Sequence, residues 1–455
     1  MEALPAELMI DADKLRPGMY VLLDLSWMEH PFPLNRFKIA TLEQVEQIKG
    51  LRLTKVKVLT ARSDATAFDP VSTDAEAAPM AASVADASAA SPLASLTAPK
   101  SPNRMALDRQ SESLMRCERL FGEASAAWKQ ISTLSQREPQ AAMQQSMVMV
   151  EGFVRELSGT QETSIRLLSE ISGDGNALHA LNVTLVSLLL GRAMKLDDTT
   201  LNDVGVGALL HDIGKQALPD RLRWRSDKFT AVEERAYREH VVLGLHTAAR
   251  MGLSSGAQLV IAQHHEGVDG KGYPKGMGAD RMTAAAKVVS LVNTYDNLCN
   301  TGVAAAASTP HEALSLMFAH LKPRFDPACL TAFIRLMGVY PPGSVVQLSD
   351  ERFALVVSVN TGRPLKPTVL VFDHQVPRDE ALLLDLQTEP SLGIRRSMHP
   401  RHLSSAALSY LSPRKRMSYF FEHNSTISDQ YSGTAWVLDG GSAQDHGVAT
   451  SKAKA

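Results

Sequence analysis

The chain has 455 residues, 44% of them hydrophobic, and a formal net charge of -2. That length can bury more than one core, so two or three domains are expected. The near-neutral charge gives no electrostatic case for a nucleic-acid partner or a membrane surface. Cys117, Cys299 and Cys329 are far apart and odd in number, which argues against a disulfide framework and fits a reducing cytoplasm. No basic-then-apolar leader and no run of about 18 apolar residues occurs, so neither export nor a membrane span is predicted. The most apolar stretch, Leu181 to Met194, is interrupted by Asn182, Thr184, Ser187 and Arg192 and reads as a buried helix.

Residues 1–62 read as a small α+β domain. Leu15-Arg16-Pro17-Gly18-Met19-Tyr20-Val21 is a turn leading into a strand, and Val56-Lys57-Val58-Leu59 alternates as a half-buried strand does. Between them Thr41-Leu42-Glu43-Gln44 forms a capping box for a helix ending at Gly50. Residues 63–104 are rich in Ala, Ser, Asp and Pro and cannot bury enough surface to offset ordering, so they read as a disordered linker. From Met105, Leu107, Leu114, Phe121, Trp128 and Ile131 mark one helical face. Pro139 breaks it, and Met143, Met147, Val150, Val154, Leu157, Ile165, Leu168 and Ile171 mark the next. Packing or dimerisation is the first use of such helices, and relay of a signal the second.

After Ser172-Gly173-Asp174-Gly175, a helix opened by Asp197-Asp198-Thr199-Thr200 delivers His211-Asp212-Ile213-Gly214-Lys215. Thr230-Ala231-Val232-Glu233 is a capping box whose helix presents His240, with Val241, Leu245 and Ala248 at helical spacing and His246 facing away. The helix from Ser254 to Gln263 presents His264 and His265, and Glu266 to Pro274 forms a glycine-rich loop. Imidazoles and a carboxylate on short helices suit a metal site. His211 and Asp212 offer a nitrogen and an oxygen from one turn, so neighbouring ions can share the pair with Asp212 as a bridge. His264 and His265 diverge by about 100° and can serve different ions. A lone His-Asp or His-His pair is ordinary, and the signal lies in their combination with the loop.

His211-Asp212-Ile213-Gly214-Lys215, with His264-His265-Glu266, Asp269-Gly270 and Gly272-Tyr273-Pro274, resembles the HD-GYP family, helical metal-dependent phosphodiesterases that hydrolyse the bacterial second messenger cyclic di-GMP. The resemblance runs roughly from Asn176 to Tyr340. The N-terminal unit, with Ser26-Trp27 and His30-Pro31-Phe32, and the C-terminal extension resemble modules attached to one branch of the family; by itself His30 reads as a packing residue. The resemblance implies a mainly α fold with an HD-superfamily catalytic core over residues 105–340.

The resemblance also implies a ligand set: His179, His211, Asp212, His240, His264 and His265, with Asn293 a weaker ligand where relatives carry aspartate. Some relatives place a glutamate one turn before the first histidine and bind a third metal; here that position is Gly175, which implies two divalent ions, iron or manganese. The implied chemistry is a bridging hydroxide attacking phosphorus to give pGpG, GMP or both, with Asp212 and Lys215 as catalytic residues. Asp296 is implied to orient a ligand or Lys215. Asp269, Gly272, Tyr273 and Pro274 form the loop beside the site, with the Tyr273 hydroxyl exposed, and the loop is a place for a diguanylate cyclase or other protein partner; a homodimer is a further expectation. Relatives follow the last ligand helix with a basic run, whereas this chain reads Asn300-Thr301-Gly302-Val303-Ala304-Ala305-Ala306. Lys215 is left as the main phosphate-holding group, with Arg281 and Lys287 in reserve. Two functional readings follow: an active cyclic di-GMP phosphodiesterase, or a catalytically weakened cyclic di-GMP sensor or protein-interaction module that keeps the fold. A metal phosphohydrolase acting on another nucleotide ranks third.

The chain reads as all-α from Met105 to Gly338, with Pro310-His311-Glu312 and Asp326-Pro327 opening the last helices and His311 and His320 on the surface. Residues 341–421 read as a β-rich extension with strands at Val345–Leu348, Ala354–Val359, Val369–Phe372 and Ala381–Leu384. Arg414-Lys415-Arg416 reads first as a solvated face and second as a contact for a nucleotide or acidic partner. Residues 422–455 read as a disordered tail.

Overall fold

The computed structural model describes residues 7–23, 36–39, 41–63 apart from 52 and 54, 102–157, 163–169, 175–301 apart from 225 and 227, and 307–423. The Ser26-Trp27 and His30-Pro31-Phe32 signature, most of the expected linker and tail, and residues 302–306 lie outside them. The chain divides into two compact units, residues 1–96 and 97–455.

The smaller unit contains β1 (Glu7–Asp11), β2 (Tyr20–Leu22), β3 (Arg36–Lys38), α1 (Leu42–Gly50) and β4 (Lys55–Leu59). Its antiparallel sheet has the order β1-β4-β2-β3. Alternation along β4 sends Val56 and Val58 into a core with Val21 and Ile48. The Thr41 side chain accepts from Gln44 N at 3.3 Å and so caps α1 where the sequence placed its start.

In the larger unit α2 (Pro102–Arg137) and α3 (Pro139–Leu157) meet at the break imposed by Pro139. Phe121, Trp128 and Ile131 of the expected α2 face are buried. The next element departs from the all-α reading: Thr163–Leu167 is a strand, β5, although Ile165 and Leu168 extend the helical spacing of α3. Then follow α4 (Gly175–Ala193), α5 (Asp198–Leu210), α6 (Ala231–Arg238), α7 (His240–Met251), α8 (Ser255–Gln263), α9 (Ala284–Cys299), α10 (Pro310–Ala319) and α11 (Pro327–Met337). Apolar on almost every side, α4 is buried along most of its length, between α5 and α9. Trp128 Nε1 donates to the Leu209 carbonyl at 3.0 Å and ties α2 to the end of α5.

The strands β6 (Val345–Leu348), β7 (Phe353–Asn360), β8 (Thr368–Val371), β9 (Leu384–Asp385) and β10 (Ile394–Met398), the helix α12 (Ser405–Leu411) and the strand β11 (Tyr419–His423) complete the unit. The stretch Ala381–Leu384 yields only the short β9, because Arg378–Glu380 forms a 3-10 turn ahead of it. The antiparallel sheet runs β10-β6-β7-β5-β11, with β8 between β7 and β9. Ile165 of β5 pairs with Val359 on one side and Phe421 on the other, and the Arg166 guanidinium meets Glu422 at 2.8 Å. Ser164-Ile165-Arg166-Leu167 alternates over only four residues, and Ile165 and Leu168 also fit a spacing of three, which is why the stretch passes for helix.

The sheet and the bundle share one core, in which the Phe421 ring meets Phe153 of α3 edge-on at 6.3 Å. Phe421→Ala is expected to lower the unfolding free energy of the full chain by about 3 kcal/mol or more in denaturant titration; a loss below about 1 kcal/mol would show that β11 adds little to the bundle.

Candidate metal centre

Three of the histidines stand at helix ends, where local geometry fixes which ring nitrogen carries the proton. His211 follows the last residue of α5 and donates from Nδ1 to the Ala208 carbonyl at 2.7 Å; His264 follows α8 and donates to Ile261 at 2.8 Å. His240 was expected within the helix opened by Thr230, but that helix ends at Arg238 and His240 starts α7, donating to Tyr237 at 2.6 Å. His179, within α4, is bonded through Nδ1 to Asp296 Oδ2 at 2.6 Å. Carbonyl and carboxylate oxygens accept, so each of these Nδ1 atoms holds a proton, and in the neutral ring the lone pair is on Nε2.

Those lone pairs point at one another. Nε2 of His179 lies 3.0 Å from Nε2 of His211, and Nε2 of His240 lies 3.4 Å from that of His264 and 3.2 Å from that of His265. Asp212 stands between the two sets: Oδ2 is 3.3 Å from His211 and 3.5 Å from His179, while Oδ1 is 3.5 Å from His240 and 3.7 Å from His264. Oδ1 is buried without a hydrogen-bond partner. Acceptors facing acceptors around an orphaned carboxylate oxygen repel unless cations lie among them. Two ligand groups result, His179–His211–Asp212 and Asp212–His240–His264–His265, and Asp212 belongs to both. Their nitrogen and oxygen donors suit divalent ions.

The electrostatics keep the donors ready. Burial pushes the His240 imidazole down to about 4, with Lys215 adding to the effect and Asp212 opposing it. Burial, then the neighbouring imidazoles, hold His264 and His265 well below the ordinary histidine range. For Asp212, burial works against ionisation, but the Lys215 charge and the His211 contact outweigh it and hold the carboxyl well below its usual range. Lys215 Nζ is 2.5 Å from Asp212 Oδ2 and stands over the Tyr237 ring; burial opposes its charge, and Asp212 and Tyr237 raise its pKa nonetheless.

Asp296 sits behind His179, not beside Lys215. Its Oδ1 accepts from Asn182 at 2.8 Å and from Asn300 at 2.9 Å, so both oxygens are engaged in holding the first histidine. Asn293 is buried, and its amide oxygen accepts from Asn297 Nδ2 at 2.7 Å. Of the reserve cations, Lys287 pairs with Asp326 at 3.6 Å and Arg281 is exposed.

Two glycines are fixed by close approach. A Cβ on Gly214 would stand 2.0 Å from the His240 carbonyl, and one on Gly272 would stand 2.4 Å from Glu266 Cα. Tyr273, whose hydroxyl was expected to be exposed, is half-buried as a residue: its ring stacks on His265 at 4.5 Å and carries the Arg238 guanidinium at 4.6 Å. Asp269 is exposed and accepts from Lys271 N at 3.1 Å, a turn-forming contact. Sequence reasoning missed the role of Glu266, fully buried, whose two oxygens accept from Lys275 N at 2.7 Å and Met277 N at 2.9 Å. Hydrogen bonds to main-chain groups across a loop have no spacing signature; its place directly after the two histidines was the available signal.

The helical core brings histidines and a His-Asp pair into one buried cluster whose donors suit divalent metal ions. Residues 155–329 match the HD domain family, residues 8–146 a domain of unknown function (DUF3391), and residues 345–406 a KOW domain associated with HD domain. The chain is 26% identical over 371 residues to a protein of Pseudomonas aeruginosa named cyclic di-GMP phosphodiesterase PA4108, covering 80% of this chain and 84% of that one. It is 28% identical over 180 residues to the cyclic di-GMP phosphodiesterase response regulator RpfG of Xanthomonas campestris, covering 38% and 47% of the two chains. Among solved structures, Bd1817, an HDG"Y"P protein from Bdellovibrio bacteriovorus, aligns over 72% of this chain and 98% of its own at 16% identity and a TM-score of 0.39. The chain thus carries an HD domain between an N-terminal match to DUF3391 and a C-terminal match to the KOW domain associated with HD domain, and it is similar along most of its length to a protein named as a cyclic di-GMP phosphodiesterase. Among the described residues no helix is long and apolar enough to cross a membrane.

Asp296→Ala removes the acceptor that orients His179 and is expected to weaken divalent-metal affinity about 10- to 100-fold in a competitive chelator titration, with the circular dichroism unchanged. Wild-type affinity in that variant would show that His179 needs no such support.

Proposed function

We propose that this protein is a metal-dependent phosphodiesterase that hydrolyses cyclic di-GMP to pGpG, GMP or both. The observation that carries the reading is the sharing of Asp212 between two converging histidine groups, and the names of the relatives support the substrate. His179, His211 and Asp212 would hold one ion and Asp212, His240, His264 and His265 the other, with Asn293 as a weaker contributor. Iron and manganese suit this mixture of imidazole and carboxylate donors. Such ions, when bound, polarise a phosphoryl oxygen and lower the pKa of water toward neutrality.

The chain's own groups do the rest. Lys215, kept protonated by Asp212, offsets negative charge that develops on the phosphoryl group. Burial disfavours protons on His240, His264 and His265 and leaves their ring nitrogens free for cations, and Asp296 keeps the His179 ring in the tautomer that presents Nε2. Tyr273, stacked on His265, covers that side of the site and restricts water. The second reading, a sensor with weakened turnover, draws on Asn293: an uncharged amide whose oxygen already accepts from Asn297 makes a poorer ligand than a carboxylate.

Full-length protein loaded anaerobically with iron or manganese is expected to convert cyclic di-GMP to linear products, and Asp212→Ala to reduce the rate at least 1000-fold with the metal lost. Binding of cyclic di-GMP without turnover under either metal would replace the enzyme with the sensor.

A further inference from the structure

Gly175 opens α4 one turn before His179, so a side chain there would share the His179 side of the helix. That direction is already filled. The point a Cβ would occupy is 3.0 Å from Cη2 and 3.6 Å from Cζ3 of Trp224, and 3.4 Å from Nη1 of Arg416. The indole follows the turn that carries Lys215, and the guanidinium comes from the segment entering β11.

That segment is fixed to the metal centre by main-chain bonds. Met417 N donates to Asn300 Oδ1 at 2.7 Å, and the Met417 carbonyl accepts from Asn182 at 2.8 Å and Asn300 at 2.9 Å. These are the two asparagines that hold Asp296, and through it His179. Asn300, where the sequence lacks the expected cations, thus anchors a segment that brings one from the far end of the chain. The neighbouring basic residues differ in use: Arg414 binds the Leu168 and Ser412 carbonyls at 3.1 Å, and Lys415 is exposed. Arg416 is exposed and has no carboxylate partner among the described residues, and Trp224 is 49% exposed.

A planar cation with no carboxylate partner among the described residues and an open indole, both held against Gly175 one turn before His179, match the two halves of a nucleotide. We propose that Arg416 and Trp224 form a nucleotide subsite at the edge of the metal centre, Arg416 binding a phosphate oxygen and Trp224 stacking on a purine. The inference rests on the phosphodiesterase reading and adds to it a phosphate-binding group supplied by the C-terminal region.

The test is binding of a hydrolysis-resistant phosphorothioate analogue of cyclic di-GMP to full-length, manganese-loaded protein, with metal content measured on the same samples. Arg416→Ala is expected to weaken binding at least tenfold and Arg416→Lys by less. Trp224→Ala is expected to weaken it about tenfold while Trp224→Phe stays near wild type, with metal content unchanged in all four. Arg416→Ala binding within twofold of wild type, or weakened only in step with lost metal, overturns the subsite and leaves the phosphodiesterase reading standing. A metal-loaded wild type that does not bind the analogue removes that reading and the subsite together.

Discussion

Everything in the larger unit that bears on chemistry depends on where four protons sit. The Nδ1 protons of His211, His240 and His264 are committed to carbonyls three residues back, and that of His179 to Asp296. Those commitments turn each Nε2 inward, and burial holds the His240 and His264 imidazoles below the ordinary histidine range. Asp212 completes the arrangement as a carboxylate that Lys215 keeps ionised and that faces both histidine groups. So many converging lone pairs around a buried carboxylate suit cations as occupants.

The helices position these groups by the way they end. Termination of α5 at Leu210, of α6 at Arg238 and of α8 at Gln263 places His211, His240 and His264 at or just beyond helix ends, with side chains free to turn back onto the last carbonyls. Gly214 lets α7 lie against the turn after Asp212, so that His240 reaches the shared carboxylate. The far end of the chain reinforces the same place. The Met417 peptide is bonded to the asparagines behind Asp296, and β11 is paired to a strand interposed between two helices of the bundle.

Much of this was legible in the sequence because the chemistry is carried by residue type at short spacing. The His-His and His-Asp pairs, the Thr41 and Asp197 caps and the capping box at Thr230 all announce themselves locally, and the structure brings the five histidines and Asp212 together. What escaped was set by distant partners. β5 looks helical because its pairing with β7 and β11 depends on residues nearly a whole domain away. Glu266 as a loop staple, Tyr273 packed between His265 and Arg238, and Arg416 beside Gly175 are products of tertiary approach that no spacing rule encodes.

The sharing of Asp212 by two cations is the claim on which the account turns, and electron paramagnetic resonance of manganese-loaded full-length protein tests it most directly. About two manganese ions per chain and the spectrum of an exchange-coupled pair are expected. A six-line signal from isolated ions, or a single ion per chain at saturation, would contradict it.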